Sequence, residues 1–277
     1  MRSACSRLRA VRAFRETPTS RTIHAELRTI GSRHDYIVWL SNSKPTVDLA
    51  EIYRKRASRR WVDRAARWLL PPQPFITNPA EPKDFPLGRW NLYIGGAGRR
   101  VDGYVNIDLF AVPGVDVATD AEALPFVSGI FQRIECDAVL EHVCHPEQVM
   151  REMCRVLAPG GYLHIVTPFC HPFHEYPKDF RRFTIDGLKQ LSAPLETVAA
   201  GWRTGPAATL LVTAIEFVKL LLPFRAWRAA AHVACGWLLF PLRYLDLWLL
   251  RSPEAHRIGN HCYIWLRKPH RAAQGQT

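Results

Sequence analysis

Short apolar runs alternate with amphipathic stretches through the middle of this chain. Asn91–Ile94 is a four-residue apolar run that stops at Gly95-Gly96-Ala97-Gly98. Tyr104–Leu109, Val115–Thr119, Phe131–Val139 and Tyr162–Thr167 repeat the pattern and read as strands, each bounded by Gly, Pro or Asp. Pro146–Leu157 and Thr184–Leu191 carry helical spacing. Pro159-Gly160-Gly161 breaks the chain before the fifth strand. Strands alternating with helices predict a mostly parallel α/β sheet with helices on both faces.

The two ends follow other patterns. From Pro45, apolar positions recur at helical spacing among many arginines up to Pro71, and Pro74–Pro86 reads as a linker. Ala207–Leu222 is a strongly apolar helix, with Thr209, Thr213, Glu216 and Lys219 on one narrow stripe. A second apolar stretch covers Arg225–Leu250 and is broken at Pro241, and His261–Lys268 reads as a final strand. The predicted organisation is a basic, disordered leader (1–44), a basic helix and Pro-rich linker (45–86), an α/β core (87–204), an apolar helical insertion (205–258) and a last strand with a tail (259–277).

Charge sharpens this division. The net +12 divides into +9 over 1–85, −4 over 86–200 and +7 over 201–277. Basic flanks of this kind attract nucleic acid and anionic membrane surfaces alike. The seven cysteines form no CxxC pair, which fits reduced thiols in a cytoplasm. The pairs His142–His145 and His171–His174 lack the three or four convergent ligands of a zinc site, so no metal centre is expected.

Four positions carry the chemistry. Glycines after the first strand let backbone approach a ligand closely. Asp108, near the end of the second strand, can accept hydrogen bonds from both hydroxyls of a ribose. Asp120-Ala121-Glu122-Ala123-Leu124-Pro125-Phe126 offers an acid for an adenine amino group beside apolar contacts. Val139-Leu140-Glu141-His142-Val143 follows the fourth strand at the sheet edge where ligands of open α/β sheets bind.

In this order the motifs Leu92–Ala97, Gly103–Asp108, Asp120–Phe126, Val139–Val143 and Arg155–Gly161 resemble class I S-adenosylmethionine-dependent methyltransferases, in particular members with a shortened first crossover. The resemblance implies a Rossmann-like sheet of seven strands whose last is antiparallel. It implies S-adenosyl-L-methionine as cofactor, held around Gly95, Gly96, Ala97, Asp108, Asp120, Ala121 and Glu141. Tyr93 and Ala97 depart from the family pattern, which often has an acid and a glycine there. His142, with His174, Glu175 and Tyr176 of the loop after the fifth strand, are the candidate groups for orienting and deprotonating an acceptor.

The apolar stretch 207–250, with Trp227, Trp237 and Trp248, predicts a peripheral membrane contact and a small-molecule or lipid-like acceptor. No Asn-Pro-Pro-Tyr run is present, which disfavours a nucleic-acid acceptor. Two other readings share these residues: a non-catalytic module on a degenerate version of the fold, and an NAD(P)-dependent oxidoreductase. The second expects GxGxxG, whose last glycine is missing here.

Overall fold

The computed structural model describes residues 69–96, 99–174 and 178–270. Ala97, Gly98, Glu175 and Tyr176, the leader 1–44 and the helix read from Pro45 to residue 68 lie outside the described residues.

Seven strands form one sheet: β1 Asn91–Ile94, β2 Val105–Asp108, β3 Val117–Ala118, β4 Phe131–Asp137, β5 Leu157–Pro168, β6 Glu196–Thr204 and β7 His261–Arg267. Their order is β3-β2-β1-β4-β5-β7-β6, with β7 antiparallel to both its neighbours. The order reverses between β1 and β4, so the carboxyl ends of these strands splay into a crevice. Leu92, Ile134, Leu163, Ile165 and Ile264 form the fully buried centre. Near-continuous burial along β2 is what a parallel strand covered on both faces requires.

Helix α1, Pro146–Val156, begins with a proline at its first position, where no amide partner is lost. It buries Val149, Met150, Met153 and Val156 on one face. Its other face clamps the loop after β3. Glu152 Oε2 accepts the Leu124 amide at 2.8 Å, and Arg155 donates to the carbonyls of Leu124 and Phe126 at 2.9 and 2.7 Å. Helix α2, Ile185–Leu191, is capped by Thr184, whose Oγ1 accepts the Gly187 amide.

Ala158-Pro159-Gly160-Gly161 forms an outpouching within β5 rather than a break before it. Phe131 pairs with Leu157 and Arg133 with Tyr162, so four residues bulge out while the strand continues. Gly160 takes φ +77°, and its amide bonds the Lys268 carbonyl. Between β6 and β7 stand α3 (Pro206–Leu220), α4 (Arg225–Leu239), a 3-10 turn at Phe240–Leu245 and α5 (Asp246–Leu249). Pro241 falls in the 3-10 turn, where the helical run ends. Among the described residues no helix is long and apolar enough to cross a membrane.

The Pro-rich stretch lies on the sheet. Phe85 stacks on Trp265 with centroids 4.1 Å apart, and Asn78 bonds the backbone of Trp202 and Arg203 in β6. Beneath it Glu81, His164 and Glu135 form a buried polar row: His164 lies 3.0 Å from Glu81 and 2.6 Å from Glu135. Burial alone would push the His164 imidazole down, but the two carboxylates overcome this and raise it.

Candidate active site

The crevice between the strand tips is lined by Ile94, Gly95, Asp108, Leu109, Phe110, Asp120, Ala121, Val139 and His142, and encloses about 170 Å³. Each ends a strand or lies in the turn that follows one. Gly95 takes φ +78° straight after β1, and its amide donates to the Ile107 carbonyl at 3.0 Å, which fixes the turn against β2. Asp108 closes β2, is 8% exposed and accepts the Phe110 amide at 3.1 Å. Asp120 accepts the Glu122 amide at 2.9 Å, and burial raises its carboxyl above the usual range. Leu109, Phe110 and Ala121 supply apolar walls. One carboxylate at a β2 tip, an apolar slot and a glycine turn fit a ribose, an adenine and a close-lying ligand backbone.

Thus Gly95, Asp108, Asp120, Ala121 and His142 come together on one cleft. Gly96 sits half-buried in the turn behind it, and Glu141 is wholly buried beneath the 3-10 turn Leu140–His142. Ala138, at the tip of β4, holds φ +54°, the left-handed region that an alanine rarely adopts. Strain at such a tip is common where a ligand is positioned.

The loop after β5 returns onto this turn. The Phe180 amide donates to the Glu141 carbonyl, and Arg181 donates to the carbonyls of Val143 and Cys144. This return brings His174 to His142, with ring centroids 5.0 Å apart and edge to face. His174 in turn meets His171 at 5.0 Å, and His171 meets His261 at 5.1 Å. Four imidazoles therefore run from the crevice along the loop. Phe75 packs on both His171 and His261, and Phe75 also lines a second cavity of about 200 Å³ with Leu211, Ile215 and Phe240 from the apolar helices and turn.

Burial sets the charge of three of these rings. It pushes His142 and His171 down and takes His261 to about 3, so these rings are neutral at neutral pH. It pushes Glu141 up to about 8. Hydrogen bonds from Arg182 hold Asp179 down at about 2.

The pairing differs from the sequence spacing. His145 turns away to Glu122, at 3.1 Å, and His142 finds His174 instead. The Glu152–Arg155 clamp on the Asp120 loop is not among the sequence-derived site residues. Its signal was an acid and a base three apart on one helical face.

A family model described as a methyltransferase domain matches residues 106–165. The chain is 32% identical over 153 residues to a demethylmenaquinone methyltransferase of Renibacterium salmoninarum, covering 53% of this chain and 58% of that one. It is 28% identical over 179 residues to a demethylmenaquinone methyltransferase of Mycolicibacterium paratuberculosis, covering 63% and 64%. The chain thus spans less than two thirds of these relatives' length. Among solved structures, a Haemonchus contortus phosphoethanolamine N-methyltransferase 2 in complex with S-adenosyl-L-methionine aligns at TM-score 0.40 and 13% identity, covering 67% of this chain and 50% of that one. The matched segment runs from the second strand to the fifth, through the loop and turn that build the crevice. Residues 106–165 of this chain, from β2 to β5, thus carry the methyltransferase-domain match, on a seven-stranded sheet with a single antiparallel strand.

Proposed function

We propose that this protein transfers a methyl group from S-adenosyl-L-methionine to a quinol-like acceptor with an apolar tail. One observation carries the reading. His142 belongs at once to the adenosyl-sized crevice and to a line of rings leading to the apolar cavity at Phe75, Leu211 and Phe240. A polar ring head and an apolar tail would each meet a matching wall. The relatives' names point to the same acceptor class.

When bound, the sulfonium donor supplies an already activated methyl carbon, so the chain's work is alignment and management of one acceptor proton. Asp108 would hold the ribose hydroxyls, and Asp120 with Ala121 the adenine. Leu109, Phe110 and Val139 would exclude water from that end. The Glu141–His142–His174 cluster is the chain's means of drawing the proton from the acceptor hydroxyl. His142 Nδ1 lies 2.5 Å from the Lys178 carbonyl, which sets that nitrogen as the donor and leaves Nε2 able to accept.

The helices after β6 support a membrane-facing role. Phe217, Leu220, Leu221, Phe224, Trp227 and Trp248 are exposed, with Arg225 and Arg228 among them. Such a surface suits the interface of a bilayer, where a lipid-like acceptor resides.

The test is transfer of labelled methyl from S-adenosylmethionine to reduced demethylmenaquinone in detergent, beside a tail-less naphthoquinol. The tailed quinol is expected to react at least about tenfold better in kcat/KM, the worth of two buried methylenes. A chain that binds the donor but labels neither quinol contradicts the acceptor assignment.

A further inference from the structure

We propose that Glu141, His142 and His174 form a binding site for one divalent first-row transition ion of the zinc class. Glu141 is completely buried, and neither carboxyl oxygen has a hydrogen-bond partner. A buried carboxyl without a partner is costly, and buried charges in proteins are paired or coordinate metals. Two imidazole nitrogens approach it: His142 Nε2 lies 3.7 Å and His174 Nε2 3.9 Å from Glu141 Oε1. The three ligand atoms all lie within 4.8 Å of one another.

Each imidazole is aimed through its other nitrogen. His142 Nδ1 is held by the Lys178 carbonyl at 2.5 Å, and His174 Nδ1 by the Pro172 carbonyl at 3.4 Å, with Asp179 Oδ2 also 3.4 Å away. Asp179 Oδ2 also accepts the His174 amide at 2.9 Å and is paired with Arg182 at 2.7 Å. With Nδ1 protonated, both Nε2 atoms are left free to accept, and each lies within 3.9 Å of the carboxyl. A histidine donating its second nitrogen to a carbonyl or carboxylate is the usual support of a metal-binding histidine.

The donor set names the class of ion. Two histidines and a glutamate form an open site for zinc, and two histidines with one carboxylate also serve ferrous iron. Bonds of about 2.0–2.1 Å place tetrahedral ligands roughly 3.3 Å apart. The glutamate–histidine separations need to close by about half an ångström, and His174, a third exposed, has room to turn. Its use in the reaction rests on the acceptor reading above. In place of the free imidazoles, a bound ion would ease loss of the acceptor hydroxyl's proton to solvent, next to the crevice that His142 lines.

The full chain, stripped with chelator and desalted, is titrated without donor. Zinc binding is followed by calorimetry and cobalt binding by visible d–d absorption. One equivalent of each is expected, with the cobalt band. Glu141→Gln and His174→Ala should each weaken binding at least about tenfold, while His145→Ala, outside the cluster, binds as wild type. Thermal unfolding of each variant establishes that it is folded. Wild type binding no zinc, or folded Glu141→Gln and His174→Ala binding as wild type does, overturns the site. A separate titration of the wild type with S-adenosylhomocysteine reads the donor crevice alone, so loss of one reading is distinguishable from loss of the other.

Discussion

A Cβ built on Gly95 would lie 2.2 Å from Val139 Cγ2, in a backbone conformation that side chains avoid. The glycine is there so that the β1 tip can pass close to the β4 tip and still leave the crevice open. Asp108 does the chemical part. Asp108→Ala should weaken S-adenosylmethionine binding by about 1–3 kcal/mol, the scale of charge-assisted hydrogen bonds, with thermal stability little changed. Equal affinity in calorimetry would remove Asp108 from the ribose. These residues were legible because each stands at a strand end, and strand ends are readable from apolar runs. The meeting of His142 with His174 was not. It depends on a loop 32 residues later returning through the Phe180 amide to Glu141, a long-range contact that no local spacing encodes.

At the scale of elements, one side chain ties the helices after β6 to each other. Asp246, fully buried at the start of α5, accepts the amides of Gly205, Ala207 and Ala208 at 3.2, 2.8 and 3.0 Å. It caps α3 from 40 residues away and leaves that helix without a need for a local cap. Asp246→Ala orphans three buried amides and should cost about 2–3 kcal/mol, read as a lower midpoint in urea. A cost below about 0.5 kcal/mol would show that water replaces the cap. Asp246 is one acid in the apolar run Arg225–Leu250, and no local spacing links it to Gly205. Strand β6 also escaped placement. It is an edge strand whose first residues, Glu196, Thr197 and Val198, are exposed and carry no clear alternation. The bulge in β5 looked like a terminator because glycine and proline signal both.

For the whole molecule, the back of the sheet is held by charge as well as by packing. The Glu81–His164–Glu135 row is buried, with Arg133 bonded to Glu135 and Phe85. His164 is raised above its ordinary 6.5, so its contribution is full below that pH and is lost as pH rises through the folded-state value. For Glu135, burial pushes upward, but bonds from His164 and Arg133 prevail and lower it below its ordinary 4.5. Its contribution is present above 4.5 and is lost as pH falls through the folded-state value. Both are therefore in place between about 4.5 and 6.5. His164→Gln should cost about 3–5 kcal/mol at pH 6 by breaking a buried pair, and less as pH rises above that range. A melting-temperature gap independent of pH would contradict this. The sheet class and the seven-strand plan were readable from the alternation of elements and the ordered motifs. The polar row was not, because Glu81 comes from a stretch that reads as a linker.

The central claim is that the tips of β1 to β4 form one adenosyl-binding crevice. Calorimetric titration of the full chain with S-adenosylmethionine tests it most directly, with NAD as the competing ligand. The account predicts saturable binding of S-adenosylmethionine at one site per chain and none of NAD. No binding of S-adenosylmethionine, or tighter binding of NAD, would contradict it.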